Sequence, residues 1–159
     1  MNVIYIAIVV VAGYLLGSLS ISILLSKNLL GRDVRRHGSG NAGATNMARV
    51  FGMHAGLLTL AGDMLKAAAA MLLGFWLLGD TGMALGGVAC LLGHCFPVLH
   101  GFKGGKGVSS GAMVALMIDW RVFLCVVGAF LVGAFLTKKV SFGSICGALA
   151  IFISAAALG

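Results

Sequence analysis

Charge is scarce in this chain, and negative charge scarcer still. Charged residues make up 9% of its 159 positions, with four acidic residues against eleven Lys and Arg. A chain so poor in charge lacks the solvated surface of an ordinary soluble domain. Four cysteines are present, Cys90, Cys95, Cys125 and Cys146, but no Cys-x-x-Cys motif, and all four sit in apolar runs. They read as small buried hydrophobes, and nothing supports a redox role. No pair of histidines has ligand spacing and few carboxylates are available, so neither a metal nor another cofactor is expected. Aromatic platforms and a recognition helix are missing beside the basic residues, which sets nucleic acid aside despite the net charge of +7. The N-terminus has no basic leader region and no small-residue cleavage site before a polar chain. It reads as a retained first span.

Apolar sequence is what the chain does contain. Hydrophobic residues fill 60% of positions and the mean hydropathy is +1.10. A membrane span needs about 20 mostly apolar residues, and five apolar segments are long enough: 3–26, 52–78, 83–99, 108–136 and the stretch from 140 onward. Two of them are interrupted, the second by Asp63 and Lys66, the fourth by Asp119-Trp120-Arg121. If both interrupted segments fold as pairs, the same sequence gives seven helices. The expected fold is therefore an all-α integral membrane bundle of five to seven helices, with a turn at Asp80-Thr81-Gly82. The pairs Gly13–Gly17, Gly82–Gly86 and Gly143–Gly147 are small-x-x-x-small patterns that let helix backbones approach closely. Lys27, Arg32, Arg35, Arg36 and Arg49 crowd the loop 27–51, opposed only by Asp33, and the positive-inside rule makes that loop cytoplasmic and the N-terminus external. Lys138 and Lys139 then fall outside, against the rule.

Two loops between these segments are rich in glycine, small polar side chains and cations. The first reads His37-Gly38-Ser39-Gly40-Asn41-Ala42-Gly43-Ala44-Thr45-Asn46-Met47-Ala48-Arg49, the second Phe102-Lys103-Gly104-Gly105-Lys106-Gly107-Val108-Ser109-Ser110. Backbone N–H groups, hydroxyls and fixed positive charge at one point suit a phosphate. In the first loop Ser39, Asn41, Thr45 and Asn46 offer donors, Gly38, Gly40 and Gly43 permit close backbone approach, and Arg49 can grip two phosphate oxygens. In the second, Lys103 and Lys106 bring charge, while Gly104, Gly105 and Gly107 expose N–H groups at a helix start. That loop is not a Walker A motif, because His100 and Gly107 occupy the positions that need Gly and Ser or Thr. His94, inside an apolar span just before the second loop, is read either as a structural hydrogen-bonding group or as a ligand to substrate. Arg32, Arg35 and Arg36 read as topology-setting charge.

The first loop, followed by Gly93-His94-x-x-Pro97 and Phe102-Lys103-Gly104-Gly105-Lys106-Gly107-Val108, resembles the bacterial acyl-phosphate:glycerol-3-phosphate acyltransferases, the PlsY family. The resemblance covers nearly the whole chain. It implies a multi-pass enzyme of the bacterial cytoplasmic membrane, with its active site facing the cytoplasm. Its reaction would move a fatty acyl group from acyl phosphate to glycerol 3-phosphate, giving lysophosphatidic acid and phosphate for phospholipid biosynthesis. An upstream acyl-phosphate-forming enzyme is a candidate partner. The family pattern carries a third motif, with His and Asn, beyond the last spans. The chain reaches Gly159 without it, so the expectation is one transmembrane domain over 1–159 that stops short of that motif.

An acyl phosphate is already activated, so the catalyst must position two anions, neutralise their charge and remove one hydroxyl proton. Ser39, Arg49 and Lys106 are the candidate catalytic residues. Gly38, Gly40, Asn41, Gly43, Thr45, Asn46, His94, Lys103, Gly104, Gly105 and Gly107 are the candidate substrate-binding set. Asp33 is the only acid near either loop, and no histidine is followed five residues on by Asp. A Ser-His-Asp triad and a His-x-x-x-x-Asp pair are thus unsupported. Ser39 reads as a phosphate-binding donor in preference to a covalent nucleophile, with a bound substrate phosphate taking the proton. The alternative function is a small transporter for phosphate compounds, which would also use glycine breaks and intramembrane charge.

Overall fold

The computed structural model describes residues 2–158, and among them every regular element is helical. The chain divides into two compact units after Ser110. The first holds α1 (Val3–Ser18), α2 (Ile21–Leu24), which runs on into a π-helical turn at Leu25–Leu29, α3 (Ala44–Phe51) and α4 (Met53–Cys95). α5 (Val108–Ile118) starts in the first unit, and α6 (Trp120–Thr137) and α7 (Val140–Leu158) lie in the second. Among the described residues three stretches are long and apolar enough to cross a membrane: Val3–Leu29, Met53–His100 and Trp120–Thr137. Trp76, Phe135 and Phe152 are at least three-quarters exposed, as side chains facing hydrocarbon should be.

α4 reverses at Gly79, whose φ of 62° and ψ of −147° only glycine adopts readily. The reversal comes one residue before the expected turn, and Asp80, Thr81 and Gly82 open the second arm. The arms 53–78 and 80–95 fold back on each other through small residues. A Cβ on Gly74 or Gly82 would strike the other's backbone, and one on Gly86 would strike Ala70. α1 lies against the second arm in the same manner. Gly17 abuts the backbone of Cys90, Gly93 that of Tyr14, and a Cβ on Gly13 would stand 3.0 Å from the Gly86 carbonyl oxygen. The Tyr14 hydroxyl donates to the Phe96 carbonyl at 2.8 Å and ties α1 to the end of α4.

Of the two interrupted segments, only one splits. Asp119 separates α5 from α6, whereas Asp63 and Lys66 lie inside an unbroken arm. A break appears instead in the first segment, where Leu19 and Ser20 take extended backbone between α1 and α2. In the second unit Val122 and Val126 of α6 pack with Ala115, Ala150 and Ile151. Gly133 meets Cys146, and Gly143 meets Phe130 and Ala134, while a Cβ on Gly147 would find ordinary contacts from 3.4 Å outward.

Candidate active site

The first loop is organised around Asn46, which is fully buried near the start of α3. Its side-chain amide donates to the carbonyls of Val34, His37 and Asn41 at 3.2, 3.0 and 3.1 Å, and its Oδ1 accepts from Ser39 N at 2.9 Å. The expected substrate donor is therefore engaged by the loop's own backbone. It bends residues 37–43 so that Ser39 stands exposed between Gly38 and Gly40, both left-handed with φ of 58° and 72°. Thr45 and Arg49 are one helical turn apart on the exposed face of α3, while Asn46 and Met47 face inward. Asn41 is half-buried beside Gly43.

The second loop closes the end of α4. Gly104 N donates to Cys95 O at 3.2 Å and Gly105 N to His94 O at 3.1 Å. These N–H groups satisfy carbonyls that a helix C-terminus leaves orphaned, and are not exposed for a phosphate as their glycine-rich setting suggested. The glycines serve close approach instead. A Cβ on Gly104 would strike the His94 carbonyl, and one on Gly105 would strike His94 Nε2 and stand 2.7 Å from Ala42 O. Gly101, Phe102 and Gly107 are left-handed at φ 67°, 59° and 75°. Phe102, the strained non-glycine of the three, is held by its N–H to Pro97 O at 2.9 Å. Lys103 and Lys106 are exposed just ahead of the α5 start at Val108.

The two loops meet. Ala42 O of the first stands beside Gly105 of the second, and Arg35 Nη1 donates across to His100 O at 2.9 Å. Arg35 is fixed by Asp33, which accepts from its Nε at 3.1 Å and its Nη2 at 2.8 Å. That pairing, chiefly the side-chain hydrogen bond from Arg35, holds the Asp33 carboxyl well below the usual range against a smaller opposing effect of burial. Arg35, read from sequence as topology-setting charge, is thus the clamp between the loops. A loop arginine two residues from an aspartate is the local signal for it, but its long-range partner is not written in the sequence.

Behind the loops lies a buried ion cluster. Lys66 Nζ is 2.9 Å from Asp63 Oδ1 and donates to the carbonyls of Gly17 and Leu19 at 3.0 and 2.9 Å. Those carbonyls end α1 at its break, so the lysine caps the broken helix inside the membrane. Lys66 Nζ also lies 3.0 Å from His94 Nδ1. Ser109 donates to Asp63 Oδ2 at 3.3 Å, and Ser110 to Asp63 O at 3.2 Å. The spacing of three between Asp63 and Lys66 signals a pair. The link from that pair to His94 and the second loop is long-range. Among the described residues no group of three His, Cys, Asp or Glu could hold a metal ion.

The glycerol-3-phosphate acyltransferase family model matches residues 7–158. The chain belongs to that family. It is 39% identical over 153 residues to a glycerol-3-phosphate acyltransferase of Finegoldia magna, covering 96% of this chain and 77% of that one. It is 41% identical over 139 residues to that of Bacillus subtilis, covering 87% and 72%. The fold matches the crystal structure of PlsY, an integral membrane glycerol 3-phosphate acyltransferase, in its glycerol 3-phosphate form. The TM-score is 0.88 and the identity 34%, over 97% of this chain and 78% of that one. The lysophosphatidic acid form matches with a TM-score of 0.83. The chain is thus an integral membrane acyltransferase of phospholipid synthesis.

Proposed function

We propose that this acyltransferase takes its acyl group from acyl phosphate and delivers it to the 1-hydroxyl of glycerol 3-phosphate, at the seam of the two loops and on the cytoplasmic face of a bacterial membrane. The N-terminus then lies outside. The hydroxyl oxygen attacks the acyl carbon, the bond from that carbon to the phosphate oxygen breaks, and inorganic phosphate leaves. The hydroxyl proton goes to a phosphate oxygen, which agrees with Asp33 being the one carboxylate found at the seam among the described residues, already bound to Arg35. Ser39, Thr45 and Arg49 are exposed on the first loop and α3, Lys103 and Lys106 on the second, and we assign these five side chains to the substrate phosphates. The exposed cations neutralise phosphate charge, and Ser39 serves as a donor. Gly38, Gly40, Gly43, Gly104, Gly105 and Gly107 shape the two loops, and Gly105 lets the second come close to Ala42 O of the first.

The observation that supports the reading best is the clamp of Arg35 on His100 O, which ties together the segments that lead into the two phosphate-type loops. Coenzyme A would need room for a bulky nucleotide, and the sequence holds no nucleotide-binding fingerprint. A bare acyl phosphate needs only a phosphate site beside lipid. Purified protein given labelled glycerol 3-phosphate should form lysophosphatidic acid with acyl phosphate and far less with acyl-CoA. Comparable turnover with acyl-CoA would overturn the donor assignment.

A further inference from the structure

The donor count of the ion cluster behind the loops bears on the tautomer of His94. An ammonium has three N–H bonds. Those of Lys66 meet three acceptors: Gly17 O at 3.0 Å, Leu19 O at 2.9 Å and His94 Nδ1 at 3.0 Å. Asp63 Oδ1, 2.9 Å away, balances the charge but lies off the angle of a hydrogen bond. A histidine that accepts at Nδ1 is neutral and carries its proton on Nε2. That Nε2 is the ring atom a Cβ on Gly105 would strike, beside Ala42 O, where the two loops touch.

We propose that Lys66 is a positioning residue that holds His94 as a neutral Nε2–H donor, and that this N–H binds a phosphate oxygen of the substrate at the loop seam. The inference rests on the acyl-transfer reading of that seam. Asp63 keeps the ammonium in place, and the hydroxyls of Ser109 and Ser110 hold Asp63 from the first turn of α5. The same lysine therefore caps the broken end of α1 and sets the histidine's tautomer. No proton is transferred by His94, since its Nε2 lone pair is already occupied. Its work is binding.

Nitrogen NMR of histidine-labelled protein tests this directly, with the His94 signals assigned by their loss in His94→Gln. Wild-type protein should show an unprotonated Nδ1 and a protonated Nε2. In Lys66→Met the Nδ1–H form should grow, because Asp63 Oδ1, 3.5 Å from that nitrogen, becomes its remaining partner. The KM for glycerol 3-phosphate should rise about tenfold in that variant, with a smaller fall in kcat, as for a lost bond to a charged group. If Lys66→Met does not fold, the wild-type tautomer and a second pair of variants still decide. His94→Gln restores an N–H near the Nε2 position and should recover about tenfold of the kcat/KM lost in His94→Leu. A wild-type His94 protonated on Nδ1, or a His94→Gln enzyme as impaired as His94→Leu, would overturn the proposal. The expected tautomer in a wild-type protein that forms no lysophosphatidic acid would overturn the functional reading instead, and with it the phosphate as ligand.

Discussion

Asp63 and Lys66 lie three residues apart in one apolar run, and Asp119 and Arg121 lie two apart in another. The first pair stays within an unbroken helical arm, with side chains at most 5% exposed, and is bound by groups from three other parts of the chain. The second breaks its run. Asp119 turns extended, accepts Arg121 N at 2.7 Å as the N-cap of α6 and binds the arginine's own guanidinium, half exposed. A spacing of three places two side chains on one helical face, so the helix can continue past them. A spacing of two suits the aspartate to a cap, where its oxygen takes an orphan N–H. Asp33 and Arg35 repeat the cap arrangement, with Asp33 accepting Arg35 N at 3.0 Å. There the guanidinium has a hydrogen bond left for His100 O. One Asp-x-Arg motif thus only caps a helix, while the other also reaches across to the second loop's approach at His100.

The contrast predicts a graded series. Lys66→Met strips a buried carboxylate of its counter-charge and orphans two carbonyls, and should lower stability by about 3–5 kcal/mol, read as the unfolding midpoint in detergent. An unchanged midpoint would mean that the cluster is solvated. Arg35→Lys should come next. An ammonium cannot hold Asp33 with two bonds and reach His100 O together, so kcat/KM should fall by about tenfold with the fold intact. Retained activity would remove the clamp from the account.

Acid should act later and more weakly. The Asp33 carboxyl is depressed by the Arg35 hydrogen bond, so its contribution is fully present above the unfolded carboxylate pKa of about 3.9 and is lost as pH falls through the lower folded value. The gap in midpoint between wild type and Asp33→Asn should stay constant from about pH 7 to 5 and narrow only below about pH 4. A gap that closes by about pH 6 would assign the effect to another group. Arg121→Ala, at an exposed pair, should shift neither midpoint nor kcat/KM beyond the scatter of the measurement.

The membrane class and both loops were legible in the sequence because they are matters of local composition. Glycine and small polar residues stand out between apolar runs. What local composition cannot show is which donors the protein uses for itself. Asn46 and the N–H groups of Gly104 and Gly105 have the right chemistry for phosphate, yet they close a loop and a helix end. The break at Leu19 and Ser20 was equally hidden, with no proline to mark it, because the Leu19 carbonyl is satisfied by a lysine 47 residues away. Asp63 and Lys66 were visible as a pair but read as a candidate interruption. Only the fold, by bringing α1 and His94 to them, shows why that helix can continue.

The central claim is that the two loops act as one site, and a double-mutant cycle on kcat/KM tests it most directly, with Ser39→Ala, Lys106→Ala and the double variant assayed on acyl phosphate and glycerol 3-phosphate. Residues that serve one bound phosphate are coupled, so the double variant should lose much less than the product of the two single losses. Losses that simply multiply would show two independent loops and contradict the account.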